Sequence, residues 1–192
     1  MADRDRERWD TRYRDGTHGE GAIPAWLGEF ESEWPSDGRA LDVATGAGRV
    51  ATWLAGHGLN VTAVDISPVG VAMAQRAAIG AGVSFEIVLM DLESEPLPAG
   101  LFHVITCFRY LQRELFPEMR ERLVPGGFLF CEIATQKNLE RHLAPSLSHL
   151  LETNELLELC SGMEIRFFQE AWCDGQYLAR IAAHSSTPGA TT

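Results

Sequence analysis

The sequence predicts an α/β domain: a doubly wound sheet of seven strands, mostly parallel, with helices on both faces and a closing antiparallel hairpin. Three observations carry the prediction. From Ala40 onward, short apolar runs alternate with stretches of helical periodicity, the pattern of β–α–β units. The first run, Ala40-Leu41-Asp42-Val43-Ala44, opens directly into a glycine-rich turn, Thr45-Gly46-Ala47-Gly48. The chain then closes on two alternating segments that flank Asp174-Gly175, a pair suited to a tight hairpin.

Strands are expected near residues 40–44, 60–65, 83–89, 102–107 and 127–134, each an apolar run bounded by turn residues. Between them, Val50, Trp53 and Leu54 fall at i, i+3 and i+4 and stop at Gly56 and Gly58, which marks a short helix. Ser67-Pro68 supplies an N-cap and then a proline at the first helical position, where its missing N–H costs nothing. Val69, Ala72 and Met73 are expected to form that helix's buried face. Leu115, Met119 and Leu123 mark one face of a further helix, which Pro125-Gly126-Gly127 terminates before the fifth strand. Met163, Ile165 and Phe167 alternate with polar neighbours, as do Tyr177, Ala179, Ile181 and Ala183 beyond the turn, and give the last two strands.

A chain of 192 residues, 45% hydrophobic, suits one core. Residues 1–38 set Trp9, Tyr13, Trp26, Phe30 and Trp34 in a charged background and are expected to form a helical lid over the domain spanning 39–184. Residues 185–192 lack a large apolar side chain and are expected to be a disordered tail. The formal net charge of −11 disfavours a nucleic-acid partner, because an acidic surface repels phosphates. No window reaches the ~18 consecutive apolar residues of a membrane span. Cys107, Cys131, Cys160 and Cys173, separated by 24, 29 and 13 positions, match neither a redox pair nor a zinc site. Reduced thiols in a cytoplasmic protein, without a metal, are the expectation.

Three clusters point to chemistry. Gly46 and Gly48 follow a strand and open a helix, so their backbone N–H groups can face a ligand. Val61-Thr62-Ala63-Val64-Asp65 is a strand ending in a carboxylate nineteen residues after Gly46. In a doubly wound sheet that carboxylate lies beside the first loop and can accept both hydrogen bonds of a ribose diol; it equally suits the start of the helix after Ser67. Met90-Asp91-Leu92, with Ile66, can read the edge and face of an adenine, or Asp91 can simply start a turn toward Pro96.

From Ala40 to His184 the sequence resembles class I S-adenosylmethionine-dependent methyltransferases. Asp42, Gly46 and Gly48 look like the family's first motif, Asp65 like its ribose-binding acid, and Asp91 like its adenine-side acid; Pro125-Gly126-Gly127 resembles the turn before the fifth strand. The resemblance implies a Rossmann-like sheet with S-adenosylmethionine as cofactor and S-adenosylhomocysteine as product. It also implies that Ala44, Thr45, Ile66, Leu92 and Cys107 border the cofactor. The segments Glu7-Arg8-Trp9-Asp10-Thr11-Arg12-Tyr13 and Phe108-Arg109-Tyr110-Leu111 are similar to a small tellurite-resistance and thiopurine-type subgroup. Ala44-Thr45, where many relatives carry a pair such as Gly-Cys, and His103, where an Asp is frequent, depart from the pattern.

Two other readings fit the same residues. Gly46-x-Gly48-x-x-Ala51 with Asp65 suits an NAD(P)-dependent oxidoreductase, and a methyltransferase fold can persist as a non-catalytic S-adenosylmethionine-binding module. The antiparallel closing pair and the short chain weigh against the oxidoreductase. For the acceptor, Arg109 is the candidate for an anionic group, since a guanidinium is permanently charged; a surface ion pair with Glu114 or another acid would occupy it equally. Tyr13 and Tyr110 are the aromatic candidates, with Trp9, Phe108 and Arg113 nearby, and Gln136, Lys137, Arg141 and His142 are candidates for a substrate cover. Cys107-Phe108-Arg109-Tyr110 is not the Asn/Asp-Pro-Pro-aromatic tetrapeptide of nucleic-acid amino methylases. A small molecule, anionic or a metalloid, is therefore the expected acceptor.

Overall fold

The computed structural model describes residues 2–16, 22–143 and 145–186. The elements run α1 (Ala2–Arg14), α2 (Ala25–Gly28), β1 (Arg39–Val43), α3 (Arg49–Gly56), β2 (Asn60–Asp65), α4 (Pro68–Ala81), β3 (Glu86–Leu89), β4 (Phe102–Phe108), α5 (Leu115–Glu121), β5 (Leu123–Ala134), α6 (Glu155–Leu159), β6 (Glu164–Cys173) and β7 (Gln176–His184). The seven strands form one sheet in the order β3-β2-β1-β4-β5-β7-β6. β1 to β5 are parallel, and β7 runs antiparallel between β5 and β6.

Parallel strands joined by helices bury both faces of the sheet, which is why their sequences are nearly continuous apolar runs. On one face Leu41, Val43, Ile105, Cys107, Leu129 and Cys131 pack under Phe116 and Met119 of α5. On the other, Ala40, Val104, Phe128 and Phe130 meet α3 and the aromatic segment of Trp26, Phe30 and Trp34. The expected lid thus divides in two. Trp26, Phe30 and Trp34 are 6%, 7% and 7% exposed and belong to the core, where burying each ring is worth roughly 2–3 kcal/mol; α1 alone is available as a cover.

Several expected boundaries move for physical reasons. β3 starts at Glu86 rather than 83 because α4 runs to Ala81 and ends on Gly82 in the left-handed conformation, φ 68°. The fully buried stripe of α4 is Gly70, Ala74 and Ala78, small residues that let it approach closely; Val69, Ala72 and Met73 are half-buried flanks. α5 stops at Glu121, so Leu123 belongs to β5, and Pro125-Gly126-Gly127 is an irregularity inside that strand where the register with β4 shifts. The Asp174-Gly175 turn has positive φ at both residues, 49° and 81°, as a tight hairpin requires. Of the expected tail, Ser185 exchanges backbone hydrogen bonds with Gly126 and Gly127, and residues 187–192 lie outside the described residues.

Candidate functional site

The carboxyl ends of β3, β2, β1, β4 and β5 lie along one edge of the sheet, so the residues that follow these strands stand in a row. At its centre is the glycine turn. Ala44, Gly46 and Gly48 all have positive φ, at 55°, 57° and 76°. A Cβ on Gly48 would come within 2.6 Å of the Ala74 Cβ and 2.8 Å of the Ala74 Cα, so glycine here serves both backbone conformation and the close approach of α4.

Asp65, at the end of β2, accepts the Gly46 N–H at 2.8 Å on one carboxylate oxygen and the Ser67 N–H at 2.8 Å on the other. It is 5% exposed, and burial pushes its carboxyl up while these backbone donors pull it down. The Ile66 N–H donates to it as well, which leaves about one of its roughly four acceptor positions for a further donor. Asp65 therefore organises the start of α4, one of its two sequence readings, and also binds the glycine turn.

Asp42 has a different job. It accepts hydroxyl hydrogen bonds from Thr45 and Thr106, each at 2.6 Å, and the Ala51 N–H. Fully enclosed, its carboxyl is pushed up to about 6 by burial, with the hydrogen bonds opposing. It ties β1, β4 and the first turn of α3 together, and Thr45 is its partner.

α1 lies over this turn. Asp10 accepts a 2.5 Å hydrogen bond from the Ser67 hydroxyl, which itself accepts the Gly70 N–H at 3.0 Å as the cap of α4. One helical turn later Tyr13 places its hydroxyl where a Cβ on Gly46 would stand 2.6 Å away. Burial first, then the charge of Asp65, raises the Tyr13 phenol, so it stays protonated. Trp9 stacks on Tyr13 with ring centroids 6.0 Å apart. Ser67 is the N-cap the sequence predicts, but its link to Asp10 is not legible there, because Asp10 is one acid among many in a charged helix.

On the β3 side, Asp91 accepts the Glu93 N–H and the Ser94 hydroxyl, at 3.0 and 2.8 Å, so it builds its own turn. Leu92 is buried in the core and Ile66 is half-buried beside Asp65. Tyr110 is half-buried, donates to the Gln112 side chain at 2.5 Å, and its phenol is raised by burial first and also by the charges of Glu93 and Asp91. Cys107 is 1% exposed and pairs in register with Cys131. Burial pushes the Cys131 thiol well up, which makes it packing rather than a nucleophile.

On the β5 side, Arg109 has positive φ, 61°, and is held by one residue twice: its N–H donates to the Glu132 carbonyl at 2.7 Å and its Nε to the Glu132 carboxylate at 2.9 Å. Its partner is thus Glu132, not Glu114. Glu132 is 1% exposed and also accepts Arg180 Nε at 2.8 Å and Trp26 Nε1 at 3.4 Å. A carboxylate inside the apolar run Phe128 to Ala134 was the signal that could have found it, because such a charge must be paired. Arg113 is spent on Glu155 and on the carbonyls of Ser148 and Leu150. The expected cover residues Lys137, Arg141 and His142 rest on the β6–β7 hairpin, on Tyr177, Trp172 and the Gly175 carbonyl.

Among the described residues, no group of three or more His, Cys, Asp or Glu is placed to hold a metal ion, and no helix is long and apolar enough to cross a membrane. A cleft lined by Gly100, Leu101, Glu118, Glu121 and Arg122 lies at the opposite end of the strands, away from the glycine turn.

A seven-stranded sheet in this order, with its glycine turn and second-strand acid hydrogen-bonded, defines a class I S-adenosylmethionine-dependent methyltransferase fold. Residues 40–127 match the family model of a methyltransferase domain. It is 32% identical over 102 residues to the ubiquinone biosynthesis O-methyltransferase of Xanthomonas axonopodis pv. citri, a match covering 50% of this chain and 43% of that enzyme. The chain spans about half the length or less of the first such curated relatives. Among solved structures it is similar to TehB from Haemophilus influenzae (TM-score 0.74, 18% identity, 91% of this chain and 66% of the other). It is also similar to magnesium protoporphyrin IX methyltransferase from Synechocystis PCC 6803 with bound S-adenosylmethionine (TM-score 0.71, 16% identity, 96% and 97%). At these identities the structures speak to fold.

Proposed function

We propose that this chain transfers the methyl group of S-adenosylmethionine to a small-molecule acceptor by in-line displacement, with S-adenosylhomocysteine as product. The observation that carries the reading is the 2.8 Å hydrogen bond from Gly46 to Asp65, within the stretch matching a methyltransferase domain. The residues present fit the cofactor. Gly48 lets the turn approach α4 closely, and Asp65 keeps an acceptor position for a ribose hydroxyl. In this reading Ala44, Thr45, Gly46 and Gly48 offer backbone to the ligand. Ile66, Asp91 and Leu92 flank its adenine, and Cys107 floors the site.

The cofactor supplies an already activated methyl group, so this chain's residues have to align the acceptor and exclude water. α1 is the cover, with Tyr13 over the turn, while Tyr110 and Arg109 face the acceptor from the end of β4. The net charge of −11 favours a small molecule over a nucleic acid, and arginine favours an anionic acceptor. The reading also suits a cytoplasmic setting, where thiols stay reduced.

The test has two stages. S-adenosylhomocysteine and NAD are titrated calorimetrically; the adenosyl ligand is expected to bind and NAD not to. Methyl-labelled cofactor is then offered with phenol, thiol, amine and metalloid oxyanion acceptors. NAD binding in place of the adenosyl ligand sinks the reading, and binding without transfer to any acceptor marks a non-catalytic module.

A further inference from the structure

Glu132 divides two arginines into different roles. Arg180 reaches it from the antiparallel neighbour β7, where Glu132 and Arg180 are register partners, and its side chain is only 15% exposed. Arg109 reaches it from the end of β4, and its side chain is 40% exposed. A guanidinium carries five N–H donors. Among the described residues Arg109 spends two of its donors, Nε on Glu132 and Nη1 on Gln176, so three remain on the open side.

A third arginine stands nearby. Arg49, at the first position of α3, donates to the Ala22 carbonyl at 2.7 Å and lies within electrostatic reach of Glu132, Arg109 and Asp42. Three arginines therefore face one ion-paired carboxylate, Glu132, and one enclosed carboxyl, Asp42, whose oxygens are already taken by Thr45, Thr106 and Ala51. Asp65, Asp91 and Glu93 stand toward the β2 and β3 side of the same strand ends, so in a chain of net charge −11 the arginines form a localised cationic group on the β5 side. Partly shielded positive charge with directed, unspent donors suits a planar oxyanion.

We propose that Arg109, held in place by Glu132, binds a carboxylate carried by the methyl acceptor, so that the acceptor class is a small carboxylate-bearing molecule. The proposal rests on the methyltransferase reading. Arg109 is the anion-binding residue and Glu132 is a positioning residue: it fixes both the backbone and the Nε of Arg109 and aims the rest of the fork away from itself. Arg180 balances the buried charge, so Glu132 remains paired when Arg109 turns toward a ligand. Arg49 adds to the field.

The test is calorimetric binding to the full chain saturated with S-adenosylhomocysteine, using 3,4-dihydroxybenzoate and its methyl ester as probes that differ by one charge. The wild type is expected to bind the acid at least ~10-fold more tightly than the ester, a difference of ~1.4 kcal/mol. Arg109→Ala should bring the two within ~3-fold, and Arg109→Lys should keep part of the preference because charge survives and the planar fork does not. Glu132→Gln adds net positive charge yet should weaken acid binding, which separates positioning from bulk electrostatics. Equal affinities in the wild type, binding of neither probe, or an undiminished preference in Arg109→Ala overturns the proposal. Tighter acid binding in Glu132→Gln overturns the role of Glu132. Loss of S-adenosylhomocysteine affinity in Arg109→Ala with an intact acid preference would reassign Arg109 to the cofactor. If the wild type fails to bind S-adenosylhomocysteine, it is the methyltransferase reading that fails. The partly exposed Arg109 variants keep the question answerable should Glu132→Gln not fold.

Discussion

Gly46 donates its backbone N–H to the carboxylate of Asp65 at 2.8 Å across 19 residues of sequence, so the glycine turn and the second-strand acid are one unit. Asp65→Ala removes an acceptor from two buried N–H groups, those of Gly46 and Ser67, and from any bound diol. A hydrogen bond to a charged group is worth roughly 1.5–3 kcal/mol. Calorimetry should therefore show S-adenosylhomocysteine affinity reduced more than about tenfold, together with a lower melting temperature. Unchanged affinity rules out the ribose assignment.

Gly48→Ala should cost about 3 kcal/mol. The left-handed backbone contributes ~1–2 kcal/mol, and the collision with Ala74 contributes ~1–3. In denaturant melts the double variant with Ala74→Gly should recover the steric part and not the conformational part. Complete recovery would mean that φ at Gly48 carries no strain.

The pH dependence follows from Asp42. Its folded-state pKa, about 6, lies above the ordinary 3.8, so the folded protein holds an extra proton between those values. Its contribution to stability is full below pH about 4 and is lost as pH rises through about 6. Melting temperatures of wild type and Asp42→Asn, measured from pH 4 to 7, should move relative to each other in favour of the variant as pH rises. A difference that is flat with pH would show that Asp42 does not titrate in this range.

α1 is held by Asp10 on Ser67. Asp10→Ala leaves the cap of α4 in place, since Gly70 still donates to Ser67, but unlatches the cover, at a cost of roughly 1–2 kcal/mol. Deleting residues 1–20 should leave a folded core, with methyl transfer reduced far more than stability. Full turnover by the truncated chain would make α1 a decoration.

β2 could be read to the residue, because an apolar run bracketed by Gly58 and a terminal Asp65 admits one placement. The glycine turn was legible for the same reason: left-handed backbone and close approach both demand glycine. β5 was read short because Pro125-Gly126-Gly127 has the composition of a turn, and a bulge is decided by pairing with β4, which sequence does not display. Glu132 and Arg180 were missed on the same ground. They are 48 residues apart and meet only through the β5–β7 register. Arg109, by contrast, was visible as a cation after a strand while its partner was not.

That separation has a consequence for how the chain is made. Glu132 leaves the ribosome 48 residues ahead of Arg180, an interval of roughly 2–10 s at ordinary elongation rates. Through that interval β5 can join the parallel sheet only by enclosing a carboxylate short of one of its two arginines, so the fifth strand has reason to wait. The last hairpin then delivers the missing charge and the antiparallel edge together. A chain that stopped short of Arg180 would enclose Glu132 with one guanidinium instead of two.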